Sequence, residues 1–95
     1  MYINQQVEIE PNVYENYTIY FQTNYKSYGT WLIKCTCNWG KKKHVFTLTT
    51  HDEHFANSIK GENYGEESIN AMFEFYQDKI EDEVAHFILD QKFIA

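Results

Sequence analysis

Arginine is absent from this chain of 95 residues, and its other scarcities narrow what it can be. Without a guanidinium, the bidentate donor pair that usually grips phosphate or guanine is missing. A direct nucleic-acid partner is therefore disfavoured, whereas a basic protein surface is not. The two cysteines are too few for the multi-bridge framework common in small secreted domains, which points to a reducing compartment. Apolar runs are short: none approaches the roughly 20 residues of a membrane span. The opening MYINQQVEIEP has neither a basic n-region nor an apolar h-region. The expectation is a soluble, cytoplasmic protein with no membrane partner. Nucleophile, phosphate-loop and oxyanion motifs are also missing, so neither enzyme activity nor a cofactor is expected.

What is present is enough for one folded domain over 1–95. Apolar residues make up 43% of the chain and aromatics 18%, ample side-chain surface to offset the entropy of folding. Charge is unevenly placed. Residues 1–50 hold five lysines against three acids, whereas 51–95 hold three lysines against eleven acids, which together give the net charge of −6.

Alternation of period two marks four strands. Ile3, Gln5, Val7 and Ile9 alternate with polar neighbours until Pro11, which cannot donate to a ladder. Tyr17, Ile19 and Phe21 mark a second run, Trp31, Ile33, Cys35 and Cys37 a third, and 44–50 a fourth. Asn38 to Lys41 supply hairpin chemistry around Gly40. The connection TNYKSYG, 23–29, reads as a longer loop carrying Tyr25 and Tyr28. The polar segment 51–64 reads as a loop or short helical turn. From Glu66 onward, apolar residues recur at three- and four-residue spacing with no Gly or Pro, predicting one C-terminal helix of roughly seven turns. At ~40 Å it exceeds the width of a four-stranded sheet, so its last turns are expected to overhang or kink. The fold class is α+β: a four-stranded antiparallel sheet followed by one long helix packed on one face.

Three clusters are candidate sites. Cys35 and Cys37 with His51 and His54, or with His44, have zinc-ligand chemistry. Their strand spacing, however, holds the sulfurs ~7 Å apart, so buried thiols are the favoured reading and no metal is expected. Lys41, Lys42 and Lys43 beside Trp39 combine cation and aromatic as single-strand binders do, and read equally as a solvated hairpin tip. The helix carries the favoured site. On a wheel at 100° per residue, Glu74, Asp78, Glu81 and Asp82 fall together at about 120–220° from Ile69. These four, with Glu66 and Glu67 in the first turn and Tyr25 and Tyr28 as aromatic neighbours, form the expected partner-binding set. Glu83 falls close to the buried stripe and needs a partner. Phe75, His86, Leu89 and Phe93 form a second stripe, suited either to the 51–64 loop or to a second subunit.

In size, acidity and sheet-plus-helix layout the chain resembles small phage-encoded inhibitors of bacterial defence nucleases, such as anti-CRISPR and anti-restriction proteins, and toxin-immunity proteins. The resemblance implies a polyanion mimic in a bacterial host cell that inhibits a nucleic-acid-binding enzyme, and it assigns no residue a role. A homodimeric assembly module is the alternative.

Overall fold

The computed structural model describes residues 2–59 and 66–94, without the side chains of 23–27, 54, 55, 58, 66, 68, 69, 72, 73, 93 and 94. Four strands, β1 (Ile3–Glu10), β2 (Val13–Ser27), β3 (Thr30–Trp39) and β4 (Lys42–Thr50), precede two helices, α1 (Glu53–Ser58) and α2 (Glu66–Ile94). The sheet is an antiparallel meander in the order β1-β2-β3-β4. The expected architecture of sheet followed by a packed C-terminal helix is what forms.

Three two-residue turns make the meander, each with its own chemistry. Pro11 and Asn12 join β1 to β2, and Asn12 takes the left-handed φ of 65° that short polar side chains tolerate. Gly40 opens the β3–β4 turn at φ 59°, the arrangement of a type II′ hairpin. Tyr28 and Gly29 join β2 to β3 with φ of 51° and 80°, the pair of positive angles a type I′ turn demands. That last turn corrects the expected loop at 23–29. The ladder continues to Ser27↔Thr30, with a register shift between Thr23 and Tyr25, and β2 also starts earlier, at Val13.

Alternation places Val7, Tyr17, Ile19, Phe21, Ile33, Cys35, Cys37, Phe46 and Leu48 on one face, all buried. Register joins them across strands as Ile19↔Cys37, Phe21↔Cys35, Cys35↔Phe46 and Ile33↔Leu48. Ile80, Val84, Phe87 and Ile88 from α2, with Ile59 in the turn just past α1, complete the core. The spacing 80, 84, 87, 88 is one helical stripe. Truncating a fully enclosed member such as Ile19 or Ile80 to alanine would cost about 2–5 kcal/mol.

Asp52 caps α1: its backbone N–H meets Thr50 Oγ1 at 3.1 Å, and its carbonyl accepts from the Ala56 N–H at 3.0 Å. Helix α2 is interrupted at Tyr76, whose φ of −118° and ψ of 17° are not helical. The break therefore lies early in the helix and not in its last turns, as its length alone suggested. No Pro or Gly causes it; the Tyr76 hydroxyl reaches the Thr49 carbonyl at 3.5 Å, tying the break to the end of β4. Beyond it, Glu83 meets His44 on β4 and Lys92 meets Glu15 on β2, so the helix runs back diagonally across the sheet.

Candidate functional site

At the end of the sheet where β4 finishes, three features converge. Trp31 pairs with Thr50, the β2–β3 hairpin projects past them, and α2 breaks at Tyr76. A cleft of about 40 Å³ is lined by Thr50, Asp52, Phe75 and Tyr76. The Phe75 ring lies 6.1 Å from that of Tyr76, tilted by 44°, yet 83% of Phe75 remains in solvent. Glu74 and Asp78, both exposed, flank it on the same helix. A large apolar side chain held in water among carboxylates is the unusual feature of this surface, because its burial against the core would contribute roughly 1.5–3 kcal/mol.

Tyr28 stands at the same end. Its side chain is fully exposed, and its left-handed backbone is costly for a bulky non-glycine residue. Folding gains nothing from an aromatic ring there, which makes Tyr28 the second candidate contact. Tyr25 lies opposite Leu32 in the ladder, but its side chain is outside the described residues, as is that of Glu66. Glu67 is exposed in the first turn of α2.

The four helix carboxylates do not form one uniform face. Glu74 precedes the break at Tyr76, whereas Asp78, Glu81 and Asp82 follow it, so a continuous wheel misplaces them relative to one another. Glu81 is half-buried and accepts from the Gln77 amide at 3.0 Å. It also approaches the sheet closely enough for its charge to help raise the Tyr17 hydroxyl, which burial already pushes well above the usual tyrosine range. Asp82 is exposed and is met by its own-helix neighbour His86 at 3.5 Å. Glu74 and Asp78 are therefore the carboxylates best placed to meet another molecule.

The second stripe is divided by the same break. Phe75 and His86 face solvent and Leu89 is half-buried, while the Phe93 side chain lies outside the described residues. Glu83 finds a partner in a residue far away in sequence: His44 Nε2 donates to its Oε2 at 3.2 Å, and the imidazole stacks 5.0 Å from the Phe87 ring. No local pattern announces that pairing, since it depends on how α2 crosses β4.

The cysteines are core residues. Both thiols are free and buried; Cys35 Sγ reaches the Ile33 carbonyl at 3.8 Å. Burial raises the Cys35 thiol far above its ordinary range and pushes Cys37 up to about 11, which disfavours the thiolate that metals and electrophiles need. His44 sits opposite Cys37 in the ladder but is turned to Glu83, and exposed His51 meets Thr30 Oγ1 at 3.4 Å. The His54 side chain lies outside the described residues. Among the described residues, no three His, Cys, Asp or Glu side chains come together as a metal site. Lys41, Lys42 and Lys43 are exposed at the β3–β4 turn, and Trp39 turns inward, donating from Nε1 to Glu15 Oε2 at 3.4 Å.

Fold and site together define a two-layer α+β domain with an aromatic and acidic end. No protein-family model, curated protein or solved structure matches the chain. No helix among the described residues is long and apolar enough to cross a membrane.

Proposed function

We propose that this is a non-enzymatic binding protein that docks the exposed face of α2 onto a basic surface of another protein. The observation that carries this reading is Phe75, 83% exposed between Glu74 and Asp78. An aromatic anchor ringed by charge is the usual composition of an interface hot spot: the ring supplies buried area on binding, and the carboxylates supply steering and orientation. Tyr28 at the same end adds a second rigid aromatic. Where that basic surface ordinarily holds nucleic acid, the protein acts as a polyanion mimic and inhibits a nucleic-acid-binding enzyme in a bacterial cell.

The test is capture from a bacterial lysate on immobilised protein, washed at low and then high salt. Two variants serve as controls: Phe75→Ala, and the triple reversal of Glu74, Asp78 and Asp82 to Lys. Glu81 is left alone, because its place against Gln77 and the sheet would confound binding with folding. A nucleic-acid enzyme retained by the wild type, released by salt and lost with both variants is the expected result, followed by inhibition of that enzyme in solution. Equal retention by all three proteins would overturn the proposal.

A further inference from the structure

The outer face of the sheet, opposite the helices, is uncovered among the described residues and is organised in rows that cross the strands. One row reads Asn4–Thr18–Asn38–Lys43 across all four strands. Beside it, the rings of Tyr2 and Tyr20 stand 5.4 Å apart. Gln6 and Asn16 pair on the other side of the row. A shallow groove of about 640 Å³ lies along this edge of β1, lined by Asn4, Gln6 and Asn16 of the outer face and by Gln5, which alternates onto the helix side. A second depression of about 170 Å³, reaching Asn38 and Gly40, continues it toward the lysine-bearing turn. Aromatic rings, then side-chain amides, then ammonium groups succeed one another over a single open surface.

From this arrangement we infer that the outer sheet face binds single-stranded nucleic acid. Each part of the surface matches one part of that ligand. Tyr2 offers an exposed ring on which a base stacks, with the half-buried ring of Tyr20 beside it; the amides of Asn4, Asn16 and Asn38 carry the paired donor and acceptor that base edges present; Lys43 with Lys41 and Lys42 meets phosphates. The inference goes beyond the helix-face reading and is independent of it.

Whole-chain charge argues against a polyanion, and the fold removes most of that objection. Of the fourteen carboxylates, eight belong to α2, and Glu15 points inward to Lys92 and Trp39. The outer face itself holds Glu8 on the β1 edge, where it already accepts from the Asn12 N–H at 3.4 Å; Glu10 lies past a register shift and pairs with Val13. Lys34 and Lys43 lie on the same face, and Lys41 and Lys42 beside it. The molecule is 23 Å through its thinnest axis, whereas charges in physiological salt are screened over about 8 Å. A strand lying on the sheet is therefore nearer the lysines than the helix-layer carboxylates, which lie across the domain at more than the screening length of the surrounding solution.

The experiment is fluorescence anisotropy with labelled single strands of about twelve nucleotides, DNA and RNA homopolymers in parallel, titrated to about 100 μM protein at roughly 50 mM and 200 mM salt. Saturable binding that weakens with salt is expected. Tyr2→Ala, at an exposed position near the chain start, should weaken it about tenfold, the loss of one stacked base. The triple reversal of Lys41, Lys42 and Lys43 to Glu should weaken it and flatten the salt dependence. Glu74→Lys, on the other layer, should leave it unchanged within about twofold. Circular dichroism of each variant checks that the fold persists. No anisotropy change at the lower salt would overturn the inference. So would binding that depends on the lysines but not on Tyr2 or Tyr20, since that is nonspecific attraction to a basic turn.

Discussion

Nε2 of His44 lies 3.2 Å from Oε2 of Glu83, and this bond fastens the third residue of β4 to the middle of α2. The imidazole also lies against two rings, 5.0 Å from Phe87 and 5.7 Å from Phe46. His44→Ala should therefore destabilise the domain by about 1–2 kcal/mol, through lost stacking as much as through the lost bond. Glu83→Gln, which keeps an acceptor, should cost less than half of that. Urea midpoints compare the two, and equal losses would show that charge, not stacking, matters at this contact.

The buried thiols give a second expectation. With Cys37 pushed up to about 11 and Cys35 higher still, both remain protonated at pH 8, and burial also shields them from reagents. A disulfide-exchange reagent should modify no thiol of the folded protein within minutes and both once the protein is unfolded in guanidinium. Rapid labelling of the native protein would mean that the sheet-to-helix layer opens readily.

Lys92 donates to Glu15 at 2.7 Å and holds its carboxyl below the ordinary value of 4.5; the Trp39 N–H adds to the effect. A carboxyl lowered on folding stabilises the folded state fully above its ordinary value. That contribution fades as pH falls through the lowered one. Both groups are partly in solvent, so the contribution is a few tenths of a kcal/mol. Lys92→Met should remove it near neutrality and change little at pH 2, as thermal melts across that interval would reveal. An equal loss at both pH values would assign the effect to packing of the lysine stem.

Tyr28 occupies a left-handed position next to Gly29, where Asn-Gly is the preferred turn pair. Tyr28→Asn should stabilise the fold by about 1 kcal/mol, raising Tm by roughly 4–8 °C. If Tyr28 contacts the protein partner, the same variant binds it less well, the opposite sign for function. A lowered Tm would show that the tyrosine ring supports the hairpin.

The strands were legible in the sequence because one face of each is buried: alternation at Ile33, Cys35 and Cys37 leaves little choice of register once a helix covers that row. The tight turn at Tyr28 was not, since tyrosine is a poor candidate for positive φ and the residues before it carry loop-like polarity. Nor was the break at Tyr76, which no Pro or Gly signals and which coincides with a contact to the distant Thr49 carbonyl. That break is why the acidic wheel was only partly right in geometry: phase accumulates along an ideal helix, and one non-helical residue resets it. The separation of charge between the two layers also lies beyond a sum over the chain, because only the fold decides which lysines share a surface.

The break at Tyr76 has an evolutionary consequence. Ile80, Val84, Phe87 and Ile88 on one side of it are committed to the core, while Glu74 and Phe75 on the other face water. Substitutions in these two groups touch different neighbours, so their effects on stability should be nearly additive. If the proposed partner contact holds, the exposed positions can change with little cost to the stability of the domain. Recognition would then be altered one residue at a time while the scaffold stays constant.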